Sequence, residues 1–465
     1  MSDHHLSGAL AQLALDAADA AGSPNTSTAA VRTLVDWFAV AVGGTAAPAA
    51  QALRRAFAST RGDVRLIASH RLSSSAETAA LIHGTAAHAL ELDDIYSPGL
   101  YHPGAPTIAA ALASAESVGA SGAALVRGVI AGIEIGCRIA MDLGPHHYRH
   151  WHTTGTAGTI GAAVAATVVR DASLEQVAQA IAIAGTMSAG LQQTFRRDGQ
   201  AKPLHAGHAA QSGVIAGLGA MEGLTGAPDI LEGSSGLAVA TGVETTWEAS
   251  RAPLTTQLCI EDLTVKPYPC CGHTFAAIDA IRELRARGVR LHDVIGLTVD
   301  TYSAALATAG IPMPGKPSEA RFSIPFAVVT ALHDEQVTRE SFVEERVADP
   351  RIVDMLPRVT LRAHPDFDDV FPARRGARVT VTLTDGTAIA ADAPDRLGSP
   401  ENPISSEALN AKFDDLVRPS LGADQATRLL KMISSISSLP TVGDLPVTSN
   451  VSEREESRYD QHTHL

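Results

Sequence analysis

Hydrophobic positions recur at the three- and four-residue spacing of amphipathic helices through the first 265 residues. The first pattern covers 6–22, where Leu6, Leu10 and Leu13 lie on or near one face. Each later helical pattern begins or ends at a capping residue, a glycine or a proline. The predicted helical segments are 27–43, 47–58, 75–94, 107–118, 121–140, 154–169, 174–190 and 206–222. We therefore predict one large all-helical domain over residues 1–265.

The pattern changes to alternation after Lys266. Alternating segments cover 294–302 and 359–363, and two more flank Asp385-Gly386, which is a strong hairpin signal. Helical patterns fill the gaps at 274–287, 318–333 and 339–347. We predict a smaller α+β domain at 266–398, C-terminal helices at 399–450 that return to the first domain, and a polar tail at 451–465. The expected fold class is mainly α.

Composition narrows the class of protein. The 465-residue chain is 45% hydrophobic and 18% charged, as in a folded globular protein. Its net charge of −14 argues against a nucleic-acid-binding surface. The four cysteines fit no zinc pattern, and no run resembles a membrane span or signal peptide. We expect a reduced, cytoplasmic, soluble protein with no nucleic-acid or membrane partner.

An acidic segment and a nearby histidine form the first candidate for chemistry. Glu91, Asp93 and Asp94 follow an alanine-rich run whose helix is expected to continue to residue 94. Glu91 and Asp94 would then share a helix face. Pro98-Gly99 breaks the helix, and the loop that follows carries His102. The alternative is a solvated helix end followed by a turn.

A histidine-rich segment at 144–156 forms the second candidate. His152 precedes Thr153-Thr154-Gly155, a capping pattern that places this histidine at a helix N-terminus, where the dipole attracts anions. No carboxylate accompanies the histidines at 146, 147, 150 and 152, so we predict no metal here.

Basic residues in an acidic protein form further candidates. Arg196, Lys202 and His205 lie in one segment, and Pro203 places Lys202 at the mouth of a helix. The alternative for Lys202 is a solvated loop lysine. The segment KPYPCCGHT carries Lys266, Cys271 and His273, and EARFSIPF carries Arg321. A cysteine here is a possible nucleophile, although a small buried hydrophobe is the commoner role.

Together these segments resemble the MmgE/PrpD family, which includes 2-methylcitrate dehydratase, cis-aconitate decarboxylase and iminodisuccinate epimerase. The resemblance runs from Val31 to about Leu445. It rests on AHALELDDIY, HPG, WHTTGTAGTIGAA, GLQQTFRRDGQAKPLHAGHAAQSG, KPYPCCGHT, EARFSIPF and GSPENPISSEALNAKF, in this order. It implies a helical domain with an α+β lid, and a homodimer.

The resemblance also implies which residues form the active site. The family's active-site positions are occupied here by Glu91, His102, His152, Lys202 and Lys266, and Asp93 and Asp94 belong to the same acidic motif as Glu91.

The chain departs from the family pattern at four positions. Glu91 and Ile95 stand where the acidic motif usually has Asp and Thr. Cys271 and Phe326 stand where decarboxylase-like members have histidine and tyrosine. The last two changes each remove a potential proton donor, so the resemblance favours a dehydratase over a decarboxylase.

The resemblance implies a common chemistry that needs no cofactor. Dehydration and epimerisation both begin with removal of a proton beside a carboxylate. His152 or His102 would take the proton, Glu91 or Asp93 would orient the histidine, and Lys202 with Lys266 would stabilise the growing negative charge. The expected substrate-binding residues are Arg196, Asp94, His205, Cys271, His273 and Arg321. The leading prediction is a dehydratase of a small di- or tricarboxylate; the alternatives are an epimerase, a decarboxylase and an inactive binding protein.

Overall fold

A computed structural model describes residues 5–57, 59, 61–196 and 200–449. The predicted tail, 451–465, lies outside the described residues. The chain forms two compact units. One unit runs to Leu263 and resumes at Ser405, and the other is Thr264–Ile404.

Helices account for most of the described residues, so the predicted mainly α class is confirmed. In chain order the helices are α1 (Leu6–Asp19), α2 (Pro24–Gly44), α3 (Pro48–Phe57), α4 (Ala76–His88), α5 (Gly104–Ser117), α6 (Gly122–Tyr148), α7 (Thr153–Val168), α8 (Leu174–Met187), α9 (Lys202–Met221), α10 (Leu237–Ala240), α11 (Glu248–Arg251), α12 (Phe275–Ala286), α13 (Ser303–Ala309), α14 (Pro317–Ala320), α15 (Ile324–His333), α16 (Glu344–Val347), α17 (Pro350–Val353), α18 (Pro365–Asp368), α19 (Ser406–Leu421) and α20 (Ala423–Ser434). The strands are β1 (Val64–Arg65), β2 (Ser73–Ser74), β3 (Val294–Thr301), β4 (Val359–Ala363), β5 (Ala377–Leu383) and β6 (Ala388–Ala393).

Small residues let the central helices of the first unit pack closely. Every residue of α7 is buried, and α4 and α9 approach each other at Gly207. A Cβ atom added to Gly207 would lie 2.1 Å from Thr85 Oγ1 and 2.3 Å from the carbonyl oxygen of Leu81. A side chain at this position would therefore push the two helices apart.

The acidic segment is not helical, which corrects the prediction of a helix to residue 94. Helix α4 ends at His88, and Glu91 adopts a left-handed conformation with φ of 58°. Asp93 turns back so that its Oδ2 lies 2.6 Å from His88 Nδ1. Residues five apart do not face each other on a continuous helix, so this contact requires the helix to end. Glu91 and Asp94 consequently share no helix face.

A lysine from the C-terminal part of the chain supports this turn. Lys412 of α19 donates hydrogen bonds to Asp36 Oδ1 at 2.6 Å and to the carbonyl oxygen of Leu92 at 2.8 Å. The second bond fixes the backbone between Glu91 and Asp93. The helices after Ser405 thus belong to the scaffold that holds the acidic segment.

A short strand pair in this unit corrects the prediction of an all-helical domain over residues 1–265. Strands β1 and β2 pair antiparallel, with Val64 opposite Ser74 and Arg65 opposite Ser73. Two residues per strand are too few to produce an alternating pattern in the sequence.

The second unit contains a four-stranded sheet in the order β4-β3-β5-β6. Strand β3 pairs parallel with β4 and antiparallel with β5, and β5 pairs antiparallel with β6. The hairpin predicted at Asp385-Gly386 is present. Gly386 has φ of +85°, and the Asp385 carboxylate accepts a hydrogen bond from the Thr387 N–H at 2.8 Å. Helix α12 packs against β5 and β6.

Among the described residues, no single helix has the length and apolar composition to cross a membrane. Helices α2 and α3 reach that length and composition only when they are taken together, and the chain bends by 77° between them.

A buried histidine on α4 predicts how stability depends on pH. His83 Nε2 accepts a hydrogen bond from the Ile67 N–H, and burial, with Arg54 nearby, lowers the pKa of His83 from 6.5 to about 3. In the unfolded chain His83 binds a proton as the pH falls through about 6.5, whereas in the folded protein it stays neutral until about pH 3. The contribution of His83 to stability is therefore fully present above pH 6.5 and is lost as the pH decreases. We expect His83 to account for about 2 kcal/mol of the stability lost between pH 7 and pH 5.

The variant His83→Gln keeps a hydrogen-bond acceptor but cannot titrate. Denaturant unfolding at pH 7 and pH 5 should therefore show a smaller loss of stability in this variant than in the parent. Equal losses in the two proteins would contradict this explanation.

Candidate active site

The beginnings of three helices meet in the first unit. His102 lies two residues before α5, His152 is the N-cap of α7, and Lys202 is the first residue of α9. The ring centres of His102 and His152 are 6.4 Å apart, and those of His152 and His205 are 5.3 Å apart. Because a helix N-terminus carries a partial positive charge, this region favours an anion.

Asp93 lies between two imidazole rings. Its Oδ2 is 2.6 Å from His88 Nδ1 and 3.3 Å from His102 Nδ1. His102 Nδ1 also donates a hydrogen bond to the carbonyl oxygen of Asp94 at 2.8 Å. Two oxygen atoms therefore hold the Nδ1 proton of His102, and Nε2 is the nitrogen through which this ring would exchange a proton. A carboxylate that orients a histidine in this way is a common feature of proton-transfer sites.

His152 lies at the centre of the cluster and is 1% exposed. Its ring stacks on His88 with centres 5.5 Å apart, and its Nδ1 is 3.1 Å from Nδ1 of His205. Burial, followed by the positive charges of its neighbours, lowers the pKa of His152 well below 6.5. Burial also lowers the pKa of His205 to about 4. Both rings are thus neutral near pH 7, and one donates its Nδ1 proton to the other.

Lys202 supplies a positive charge beside these rings. Its ammonium group pairs with the Glu91 carboxylate and lies 5.2 Å from the centre of the Phe195 ring. Each side chain of the ion pair is 14% exposed. The left-handed backbone of Glu91 costs about 1–2 kcal/mol, and such strain is often found at functional sites.

Asp94 has a different environment from Asp93. Both of its carboxylate oxygens accept from the Gly104 N–H, at 3.1 Å and 3.0 Å, so this side chain caps the start of α5. Its substrate contact stays a prediction. Arg196 ends the 3-10 helix Gln192–Arg196, and its side chain lies outside the described part of the structure. The predicted contact of Arg196 with substrate therefore also stays a prediction.

The remaining predicted site residues belong to the second unit. Lys266 is 2% exposed, and the Cys271 N–H donates to the carbonyl oxygen of Arg321 at 2.9 Å. His273 Nδ1 is 2.7 Å from the Tyr302 hydroxyl. Burial, then the charges of Arg375 and Arg396, lowers the pKa of His273 well below 6.5. The structure thus joins KPYPCCGHT to EARFSIPF within this unit, and a role for these residues in catalysis stays a prediction.

His88 is a member of the cluster that sequence reasoning missed. It is fully buried at the end of an alanine-rich helix, where a single histidine carries no recognisable pattern. A possible signal was a histidine at the end of a predicted helix followed closely by a group of acids.

His88, Asp93 and His102 each offer an atom that could bind a metal ion, and these atoms all lie within 4.8 Å of one another. Two atoms bound to one Zn²⁺ ion lie about 3.3 Å apart in tetrahedral geometry. The 2.6 Å between His88 and Asp93 is shorter and fits a hydrogen bond. These residues therefore fit a shared proton better than a bound ion.

The histidine-rich segment 144–156 has a packing role at one position. His147 is buried, and its Nε2 lies 2.8 Å from Thr156 Oγ1. Burial lowers the pKa of His147 to about 4, so its ring is neutral near pH 7.

We expect metal chelators to leave the activity unchanged. Dialysis against EDTA, followed by measurement of turnover with a recognised substrate, checks this. Loss of turnover that a single divalent ion restores would contradict the hydrogen-bonded interpretation of the cluster.

Comparison with known proteins identifies the family. The profile described as MmgE/PrpD N-terminal domain matches residues 8–250, and the profile described as MmgE/PrpD C-terminal domain matches residues 268–437. The chain belongs to the MmgE/PrpD family. His88, Asp93, His102, His152 and Lys202 all lie within the matched MmgE/PrpD N-terminal domain.

Several relatives of this MmgE/PrpD protein are named cis-aconitate decarboxylase. The mouse protein is 26% identical over 388 residues, covering 78% of this chain and 76% of the relative. The human protein is 28% identical over 380 residues, with the same two coverages. The Aspergillus terreus protein is 25% identical over 363 residues, covering 73% and 74%. The relationship supports a lyase-type enzyme of the family and leaves the substrate and reaction open.

Proposed function

We propose that this protein is a cofactor-independent lyase that dehydrates a small di- or tricarboxylate, in the manner of 2-methylcitrate dehydratase. The first step would remove a proton from the carbon beside a carboxylate. The observation that carries this proposal is the Asp93–His102 pair beside a neutral His152 and a charged Lys202.

Local charge supports an anionic substrate. The protein has a net charge of −14, yet the cluster combines Lys202 with the N-terminal ends of α7 and α9, whereas the start of α5 already binds the Asp94 carboxylate. A carboxylate bound there would interact with the Lys202 ammonium group and with partial positive charges at the helix ends. Glu91 would hold Lys202 in position when no substrate is bound.

His102 has the geometry of the base. Its Nδ1 proton is held by Asp94 and Asp93, so Nε2 would take the proton from carbon, and Asp93 would balance the charge formed on the ring. Removal of this proton places negative charge on the neighbouring carboxylate. Lys202 would stabilise that charge most strongly in the transition state.

His152 suits the departing hydroxyl group. Because burial keeps its ring neutral, it can donate a hydrogen bond to oxygen without first holding a full positive charge. His205, 3.1 Å away, would fix the direction in which the His152 ring presents its proton. The oxygen gains from His102 Nε2 the proton that was removed from carbon and leaves as water, while His152 stays neutral and donates only a hydrogen bond.

Decarboxylation is the second candidate because the named relatives are cis-aconitate decarboxylases. Cleavage of a carbon–carbon bond produces the carbanion without a base and then needs a proton donor to carbon. A cluster with two neutral histidines favours proton removal as the first step. Epimerisation shares that first step. A homodimer and a cytoplasmic location remain predictions.

Product identification tests the proposal. Purified protein is incubated with a panel of hydroxylated and unsaturated di- and tricarboxylates, and the products are identified by NMR. We expect a hydroxy acid to lose water and form an unsaturated acid. Release of CO₂ from an unsaturated acid would support decarboxylation, and inversion at one carbon would support epimerisation. Binding of these acids with no chemical change would support an inactive binding protein.

A further inference from the structure

One buried residue of the cluster takes no part in the proposed mechanism. His88 is fully buried, and its Nδ1 donates to Asp93 Oδ2 at 2.6 Å. Its ring stacks on His152 at 5.5 Å and meets the edge of His102 at 4.9 Å. His88 therefore contacts the carboxylate and both proposed catalytic histidines.

We propose that His88 is a positioning residue that holds the Asp93 carboxylate in place and thereby fixes the orientation of the His102 ring. Both rings contact the same carboxylate oxygen, Oδ2, so the bond from His88 keeps this oxygen from rotating away from His102. The 2.6 Å bond from His88 is shorter than the 3.3 Å contact with His102, so His88 is the stronger of these two constraints. Outer hydrogen bonds of this kind commonly change activity by about 10–100-fold.

The Nε2 atom of His88 supports a positioning role rather than a chemical one. This atom is buried and has no hydrogen-bond partner among the described residues. The charged and titratable groups around the ring are Asp93, His102, His152 and His205. The contacts of His88 with the other residues of the cluster are made by Nδ1 and by the ring, and its contribution would act through them.

The expected effect of His88 on turnover rests on the proposed function, whereas its expected effect on the position of the His102 ring does not. The position of the His102 ring can be tested in the protein without substrate. The two arms of the experiment therefore fail independently.

The first arm measures kcat and KM for His88→Leu and His88→Asn. Leucine fills the space but donates no hydrogen bond, whereas the Asn amide nitrogen falls close to the position of His Nδ1. We expect His88→Leu to lower kcat by about 10–100-fold and to change KM by less than about threefold, because His88 touches no solvent. His88→Asn should recover most of the lost turnover.

A matched control lies on the same helix. His83 of α4 is also buried and hydrogen-bonded, but its partner is the Ile67 N–H. We expect His83→Leu to lower stability and to leave kcat per folded molecule at the parental value. Parental kcat in His88→Leu would overturn the proposal. So would His88→Asn as slow as His88→Leu, since the ring itself would then be needed.

The second arm uses ¹⁵N-histidine NMR of the protein alone, with His102 assigned from the His102→Gln variant. In the parent we expect a sharp Nδ1–H signal from His102. It should broaden in His88→Leu, where Asp93 is less constrained, and return in His88→Asn. An unchanged signal in folded His88→Leu would overturn the positioning role even if no tested acid is turned over. If His88→Leu does not fold, His88→Asn alone decides. The proposal then requires that His88→Asn keep the sharp Nδ1–H signal of His102 and a near-parental kcat, and loss of either would overturn it.

Discussion

Replacing His102 with glutamine should lower kcat by about 10²–10⁴-fold, the range associated with loss of a general base. The glutamine side chain can form hydrogen bonds but cannot take a proton from carbon. His102 lies in a loop and its side chain is 15% exposed, so the fold should change little. Turnover with a recognised acid and the Tm of both proteins check this result.

Two further variants sharpen the test of His102. Asp93→Asn should also slow turnover, because an amide cannot balance positive charge on the ring and no longer favours the Nδ1–H form. His150→Gln is the matched control, since this exposed histidine lies two residues before His152 and takes no part in the proposed chemistry. If His102→Gln turns over at the rate of His150→Gln, His102 is not the base.

Replacing Lys202 with methionine should lower turnover by about 10²–10³-fold, equivalent to about 3–4 kcal/mol of transition-state stabilisation. The expected decrease in kcat exceeds the weakening of substrate binding, because the charge on the substrate carboxylate grows only as the proton leaves. The Tm should stay within a few degrees, since Lys202 lies at the start of α9 and outside the core. By the family resemblance, Lys266→Met should behave in the same way.

The ion pair with Glu91 provides the comparison for Lys202. Glu91→Gln keeps the lysine but removes its counter-charge, so a milder effect than that of Lys202→Met would indicate that the lysine charge itself matters. Lys431→Met, at an exposed position on α20, controls for loss of a positive charge elsewhere. Parental kcat in Lys202→Met would exclude the carboxylate-binding role, and unfolding of this variant would indicate a structural one.

Local patterns predicted the parts of the fold that local interactions determine. The helical spacing around α7, the capping residues before it and the Asp385-Gly386 turn all depend on neighbours in sequence. The same holds for His152 at a helix start and for Lys202-Pro203 at the next one. Both positions could be read from the sequence because each is bounded by turn or capping residues.

Long-range contacts determined what sequence reasoning missed. Alanine and leucine favour a continued helix after His88, but Asp93 turns back to His88 and Lys412 binds the Leu92 carbonyl across 320 positions. Glu91, whose backbone is left-handed, lies within this turn and pairs with Lys202, which is distant in sequence. His88 was missed for a related reason: its partners are brought together only by the turn that the sequence did not indicate.

Proton exchange at carbon tests the central claim most directly. The protein is incubated in deuterated water with a panel of small di- and tricarboxylates, and loss of the C–H signal beside a carboxylate is followed by NMR. We predict that the parent and His150→Gln exchange this proton for deuterium, while His102→Gln and Lys202→Met exchange it at least about 100-fold more slowly. Consumption of an acid whose product keeps the C–H hydrogen beside the carboxylate, or equal exchange in the parent and His102→Gln, would contradict the account.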